Sequence, residues 1–165
     1  MPEIIVIAHN IRSTHNIGAI FRTSEGLGVS KIILSGYSPY PSLERDTRLP
    51  HIHRKLNDQI HKTALGAEKI VPFEYQETPG IEVLREAGYR IVGLEQDKRS
   101  TILPHYSVPD KVALLLGEEV EGITGDLRAV CDDLIEIPMV GQKESFNVSV
   151  ATGIALYALS CARFN

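Results

Sequence analysis

Six short apolar runs, rich in Ile, Val and Leu and followed by turn signals, recur along this chain, with helix-like segments between several of them. They occupy residues 4–8, 31–34, 69–73, 90–94, 112–116 and 134–137. Runs this short and this β-branched read as buried strands. Strands alternating with helical segments imply a largely parallel sheet covered by helices, because parallel neighbours need a crossover between them. The expected fold class is therefore α/β. At 165 residues the chain can bury one core without disulfide or metal staples, so a single domain is expected.

The helical segments follow from their spacing. Ile17, Ile20, Phe21, Ser24 and Leu27 recur at helical intervals, and Gly28 can stop that helix. Residues 81–87 form a short amphipathic segment ended by Gly88, and residues 123–130 are another candidate. Residues 147–163 make the longest, with Val148, Ala151, Ala155 and Leu159 on one face and Val150, Ile154 and Ala158 on another. A helix apolar on two faces is buried on two sides. The sheet can take one, and a partner subunit is expected on the other, with a crowded monomer core as the plain alternative. Residues 35–48, with Pro39, Pro41 and two tyrosines, read as a long surface loop, a kind that often carries function.

Composition narrows the partners. No apolar run approaches the roughly 20 residues of a membrane span, and no basic stretch precedes the first apolar run, so neither a membrane nor a secretory route is expected. Cys131 and Cys161 lie far apart, with no CxxC and no His/Cys cluster at ligand spacing. That fits a reduced, cytoplasmic compartment and no metal. The net charge of −4 is unevenly spread. Residues 1–62 hold eight Lys/Arg against five Asp/Glu, whereas residues 63–165 hold nine against sixteen. Arg45, Arg48, Arg54, Lys55 and Lys62 crowd one stretch with several histidines. Such a patch can steer a polyanion although the whole molecule is acidic. A solvated loop and helix face is the plain alternative.

Three segments can carry chemistry. In the first, Asn16 stands at a helix N-terminus, where a polar side chain caps free amides. Arg22 follows almost two turns later and is expected near the Asn16 face, displaced along the axis. In the second, the strand ending at Leu116 runs into Gly117, Glu118, Glu119, Glu121 and Gly122. The glycines permit tight backbone. Three carboxylates would repel phosphate and suit a cationic or hydroxyl-bearing ligand. In the third, an apolar strand reaches Ile137 and Pro138, a polar loop passes Met139 and Gly141, and Ser145 and Asn147 open the last helix. Open α/β sheets bind ligands at strand-to-helix junctions of this kind. Taken singly, each segment is also explained by capping residues and exposed turns.

Together and in this order, the segments resemble the three motifs of the TrmH (SpoU) family of RNA ribose 2′-O-methyltransferases, in the SPOUT superfamily. The residues carrying the resemblance are Asn16 through Arg22 and on to Val29, then Leu116-Gly117-x-Glu119-x-x-Gly122, then Ile137-Pro138-Met139-x-Gly141 continuing through Ser145 to Ala151. Phe146 stands where leucine is common in the family. The resemblance implies a C-terminal trefoil knot, a departure from the rule against threaded chains. It also implies S-adenosylmethionine (AdoMet) as cofactor, a homodimer through a face including the C-terminal helix, and RNA bound across the dimer.

By motif position, Asn16, Arg22, Glu119, Ser145 and Asn147 would form the reactive site. Leu116, Gly117, Gly122, Ile137, Met139, Ser145 and Phe146 would hold the cofactor. Guanidinium stays protonated in proteins, so the expected role of Arg22 is to orient phosphate and stabilise developing negative charge, with Glu119 orienting Arg22 or accepting from the nucleotide. No separate RNA-binding extension is read in residues 1–165, so the core is expected to grip RNA itself, through Arg12, Arg45, Arg48, Arg54, Lys55 and Lys62. Transfer to a ribose 2′-hydroxyl of tRNA, slightly favoured over rRNA, is the expected reaction. A non-catalytic RNA-binding or assembly protein on the same fold is the competing one.

Overall fold

The computed structural model describes residues 1–161. Seven strands form one sheet: β1 (Glu3–His9), β2 (Lys31–Ser35), β3 (Phe73–Gln76), β4 (Arg90–Leu94), β5 (Thr101–Ile102), β6 (Lys111–Leu116) and β7 (Asp133–Glu136). All the strand pairings are parallel, in the order β3-β2-β1-β6-β4-β7-β5. The expected parallel α/β domain is present. Five helices cover the sheet: α1 (Thr14–Gly26), α2 (Pro50–Ala64), α3 (Ile81–Glu86), α4 (Gly125–Val130) and α5 (Val148–Cys161).

Side-chain alternation sorts the layers. On β1, Ile4, Val6 and Ala8 join a core with Ile17, Ile20 and Phe21 of α1, Ile60 of α2, and Ala155, Leu156 and Leu159 of α5. Ile5 and Ile7 face the opposite way, into a smaller core with Ile81 and Leu84 of α3 and Ile123. Both faces are covered, which is why the strands read as continuous apolar runs rather than alternating ones. Phe21 meets Phe73 edge to face at 5.5 Å, tying α1 to the sheet margin.

Four elements differ from expectation. No apolar run announces the two-residue β5. Residues 69–73 are not a strand. The apolar run there closes a 3-10 turn over Ala67–Lys69, and β3 begins only at Phe73. The helix expected from residue 123 starts at Gly125, and Ile123 is held in the preceding loop, its backbone amide donating a hydrogen bond to the Glu95 carboxylate. Residues 50–64, where composition pointed only to a solvated loop or helix face, form the 15-residue α2, opened by Pro50 and closed by Leu65 in the left-handed conformation. The last helix begins at Val148 and runs to Cys161. The end expected at Arg163 lies outside the described residues.

Helices α1 and α5 lie side by side on one face of the sheet and point the same way. Asn16 meets Asn147 at one end, and the Ser160 hydroxyl reaches the Leu27 carbonyl at the other. On α5, Val150, Ile154 and Tyr157 share a stripe and remain 50%, 37% and 63% exposed. The sheet thus covers one apolar face of α5; of the other, expected at Val150, Ile154 and Ala158, the first two stand open in the single chain while Ala158 packs against the core.

Candidate active site

The strand order reverses direction at β1, whose neighbours are β2 on one side and β6 on the other. Helices leave the two flanks of such a point on opposite faces, and a crevice opens at the carboxyl ends of the strands. Two of the three candidate segments meet there: the loop leading from β1 into α1, and the loop leaving β6.

Glu119 joins them. Its carboxylate accepts from the backbone amides of Arg12 and Ser13, each at 3.2 Å, and from the Asn16 carboxamide at 3.3 Å. Burial works to raise this carboxyl, but the backbone amides and Asn16 outweigh it and hold it below the usual carboxylate range. A depressed carboxyl contributes its stability above the unfolded-state value and loses it as pH falls through the folded one. Glu119 therefore contributes its full stabilisation of the junction at neutral pH and loses it as the pH falls into the acid range. Glu118 adds a 3.0 Å ion pair to Arg12. Two of the acidic side chains that looked available for a ligand thus clamp the neighbouring loop.

The third segment completes a row. The Asn147 carboxamide nitrogen donates to Asn16 Oδ1 at 3.2 Å, while Asn147 Oδ1 accepts from the amide and hydroxyl of Ser149. An ionised carboxylate only accepts, so Glu119 sets the orientation of Asn16, and Asn16 sets that of Asn147. Capping and site-building coincide in Asn147, which opens α5. At α1 they are divided: Ser13, not Asn16, is the cap, its hydroxyl accepting from the Asn16 amide.

Beside this row lies a cleft whose floor is made by strand ends. Leu94, Leu116, Ile137 and Met139 line it with Phe146 and Val148, and Gly117, Gly122 and Ser145 complete its wall. Five carboxylates, of Glu95, Glu118, Glu119, Glu121 and Glu136, also border it. An apolar slot rimmed by acid suits a flat ring carrying a positively charged tail. All seven residues expected to hold a cofactor line this cleft.

Gly117 and Gly122 shape the rim. A Cβ at Gly117 would stand 2.3 Å from the carbonyl carbon of Gly122, across a one-bridge hairpin between Glu118 and Gly122. Gly122 itself has φ +68° and lies against the Glu95 carboxylate. Glu95 and Gln96, which the sequence did not single out, link the loops. Glu95 accepts from the Ile123 amide at 2.7 Å, and Gln96 donates to the Glu144 carbonyl at 2.8 Å. The available signal was an acid directly after a strand-like apolar run. Its meaning depends on β4 lying between β6 and β7, which no local pattern reveals.

Arg22 sits elsewhere. Six residues at 3.6 per turn carry a side chain about 120° around the helix from Asn16, so the shared face expected for the two is not formed. Arg22 is exposed on α1, does not line the cleft, and has no ion pair or hydrogen bond among the described residues. Nor does Glu119 orient it within the chain, since that carboxylate is held by the loop of Arg12 and Ser13 and by Asn16.

Of the basic residues, Arg12 is 71% exposed, and Arg45, Arg54, Lys55 and Lys62 are exposed without ion-pair partners among the described residues. Arg48 differs. Its guanidinium bonds Asp46 and the Tyr40 and Pro41 carbonyls and lies 3.6 Å over the Tyr40 ring, so it staples its own loop. Among the described residues, no three or more His, Cys, Asp or Glu side chains are placed to hold a metal ion, and no helix is long and apolar enough to cross a membrane.

Known proteins resemble this chain in sequence and in fold. Residues 3–157 match the SpoU rRNA Methylase family. The chain is 32% identical over 157 residues to the 23S rRNA (guanosine-2′-O-)-methyltransferase RlmB of Neisseria meningitidis, covering 94% of this chain and 57% of that protein. It is also 32% identical over 157 residues to the tRNA (guanosine(18)-2′-O)-methyltransferase of Aquifex aeolicus, covering 94% of this chain and 67% of that one. Among solved structures, the AdoMet-bound rRNA methyltransferase from Sinorhizobium meliloti superimposes with a TM-score of 0.80 at 26% identity, over 99% of this chain and 57% of that one. The chain thus spans little more than half the length of several proteins it matches.

Proposed function

This chain belongs to the SpoU rRNA Methylase family, and from that premise we propose that it transfers a methyl group from AdoMet to a ribose 2′-hydroxyl of structured RNA. The observation carrying this reading is the row Glu119–Asn16–Asn147, in which one residue from each of three distant segments meets beside an acid-rimmed apolar cleft.

The residues fit the cofactor. Leu94, Leu116, Ile137 and Met139 offer a slot for the adenine, with strand-end backbone at its edge, and the carboxylates of the rim complement the ammonium and sulfonium charges. AdoMet, when bound, supplies an electrophilic methyl group on a positively charged sulfur. The chain's own part is positioning and electrostatics. Asn16, Ser145 and Asn147 offer neutral hydrogen bonds to ribose or phosphate, and Arg22 stabilises charge on the acceptor oxygen and its phosphate. Holding that hydroxyl in line with the methyl group supplies much of the barrier reduction.

Since Arg22 points away from the cleft of its own chain, we infer that it acts in a homodimer. The open stripe of Val150, Ile154 and Tyr157 lies on α5, next to α1. A second copy seated on that stripe would bring its cleft towards Arg22. The C-terminal knot and a cytoplasmic location belong to the same proposal, as does RNA contact by the core itself. Substrates of the relatives include both rRNA and tRNA, and tRNA is our slight preference here. Mapping 2′-O-methyl sites in total RNA with and without the protein tests the reaction and identifies the target. No gained site in either RNA class, with AdoMet bound, would favour the non-catalytic alternative.

Two further results are expected. If Arg12, Arg45, Arg54, Lys55 and Lys62 each meet a phosphate, log affinity for RNA should fall with log salt at a slope of about −4. A flat titration would remove the basic patch from the interface. Glu95→Ala should weaken AdoMet binding by roughly ten- to a hundredfold, because it leaves the Ile123 amide unpaired and frees the loop after β6. Calorimetry reads this directly, and an unchanged dissociation constant would reduce Glu95 to a bystander.

A further inference from the structure

A second concavity opens at the same edge of the sheet, on the far side of Arg12. Thr14, Tyr37, Tyr40, Gln59 and Tyr75 line it, together with Arg12 itself. Its wall is built to stay in place. Asn10, in the left-handed conformation at φ +56°, accepts from the Tyr37 amide. The buried Ser38 hydroxyl accepts from the Ile11 amide and donates to the Ala8 carbonyl. The Tyr75 hydroxyl donates to the Gly36 carbonyl at 2.7 Å. Tyr40 is stacked on Tyr75 at 4.2 Å and covered on its other face by Arg48.

That much internal bonding holds an exposed loop in one shape. What it presents is Tyr37, 50% exposed, with the Arg12 guanidinium 5.5 Å from its ring centre. The Gln59 carboxamide and Thr14 hydroxyl face this concavity with no hydrogen-bond partner among the described residues. A half-exposed aromatic ring with a cation over one face, and polar groups nearby that both donate and accept, match the needs of one nucleobase, stacked on the other face, with its phosphate.

Position selects the occupant. Arg12 lines this concavity and also pairs with Glu118 of the AdoMet cleft, while Ser13, beside it in the chain, donates to Glu119. The loop between β1 and α1 therefore lines this concavity and is bonded to the rim of the AdoMet cleft through Glu118 and Glu119. We propose that the Tyr37 cleft takes an unpaired nucleobase of the RNA next to the methylated nucleotide. Tyr37 stacks on its face, Gln59 and Thr14 read its edge, and Arg12 holds the intervening phosphate. This rests on the RNA reading above and adds a nucleotide that is recognised but not modified.

Binding tests it without relying on methylation. The full chain is titrated with a single-stranded uridine decamer and with an abasic ribose-phosphate decamer. The wild type should prefer the base-bearing strand by about tenfold. Tyr37→Ala should lose most of that preference with little change towards the abasic strand, and Tyr37→Phe should keep it. Gln59→Ala should alter the ranking of uridine, cytidine and adenosine decamers. Equal binding of both strands by the wild type, or an undiminished preference in Tyr37→Ala, overturns the proposal. A second arm places single abasic sites around the methylated position. One neighbouring site should lower kcat/KM about tenfold for the wild type and barely for Tyr37→Ala. A protein that methylates no RNA yet shows the Tyr37-dependent preference would sink the enzymatic reading and leave the cleft standing.

Discussion

Arg22→Ala should lower methyl transfer at least a hundredfold while AdoMet affinity changes less than twofold. A preorganised donor aimed at developing negative charge is worth about two to three orders of magnitude in rate, and Arg22 stands outside the cleft that would hold the cofactor. The same separation makes a sharper test available. If Arg22 serves the cleft of a second copy, dimers mixed from Arg22→Ala and a cleft-dead variant should recover activity. One of their two sites would then combine an intact cleft with an intact arginine. Mixtures that stay inactive although heterodimers form would place Arg22 in its own subunit's chemistry, reached by movement of α1. Unchanged turnover in Arg22→Ala alone would remove it from the reaction.

Gly117→Ala should cost AdoMet binding far more than it costs stability. The added methyl group would meet the Gly122 carbonyl carbon and the Ile123 amide nitrogen at 2.3 Å, and both are backbone atoms. A side chain could turn aside, but here one strand of the hairpin must shift. Overpacking of this kind costs about 1–3 kcal/mol, which predicts a fall in melting temperature of several degrees. The larger effect falls on function. Displacing Gly117 moves the edge of the cleft and disturbs the bond between Ile123 and Glu95. AdoMet binding is expected to weaken at least a hundredfold by calorimetry, with the far-ultraviolet circular dichroism unchanged. Near-normal binding would show that the loop adapts and that its glycine geometry is dispensable.

Parts of this site can be read from local chemistry, and parts cannot. Asn147 was legible as a residue opening a helix, because capping depends on the two or three residues that follow it. Its bond to Asn16, 131 positions away, is invisible to any such pattern. Glu119 could be seen in a glycine-bounded acidic turn, yet its partners proved to be the loop before α1 rather than a ligand or Arg22. Arg48 looked like one more member of a basic patch. Its loop folds back so that Asp46, two residues earlier, and two carbonyls take its donors.

The sequence by itself determined the parallel α/β plan, the boundaries of most strands and helices, and the family to which the three motifs point. Those rest on short-range facts: β-branched runs, helical periodicity, and glycines where tight backbone is needed. Only the tertiary structure decided that β6 lies beside β1, that Glu95 and Gln96 tie two loops together, and that Arg22 turns away from the cleft. Strand order, loop closure and the facing of a helix are set by packing between segments many residues apart, and such contacts leave no periodic trace in the chain.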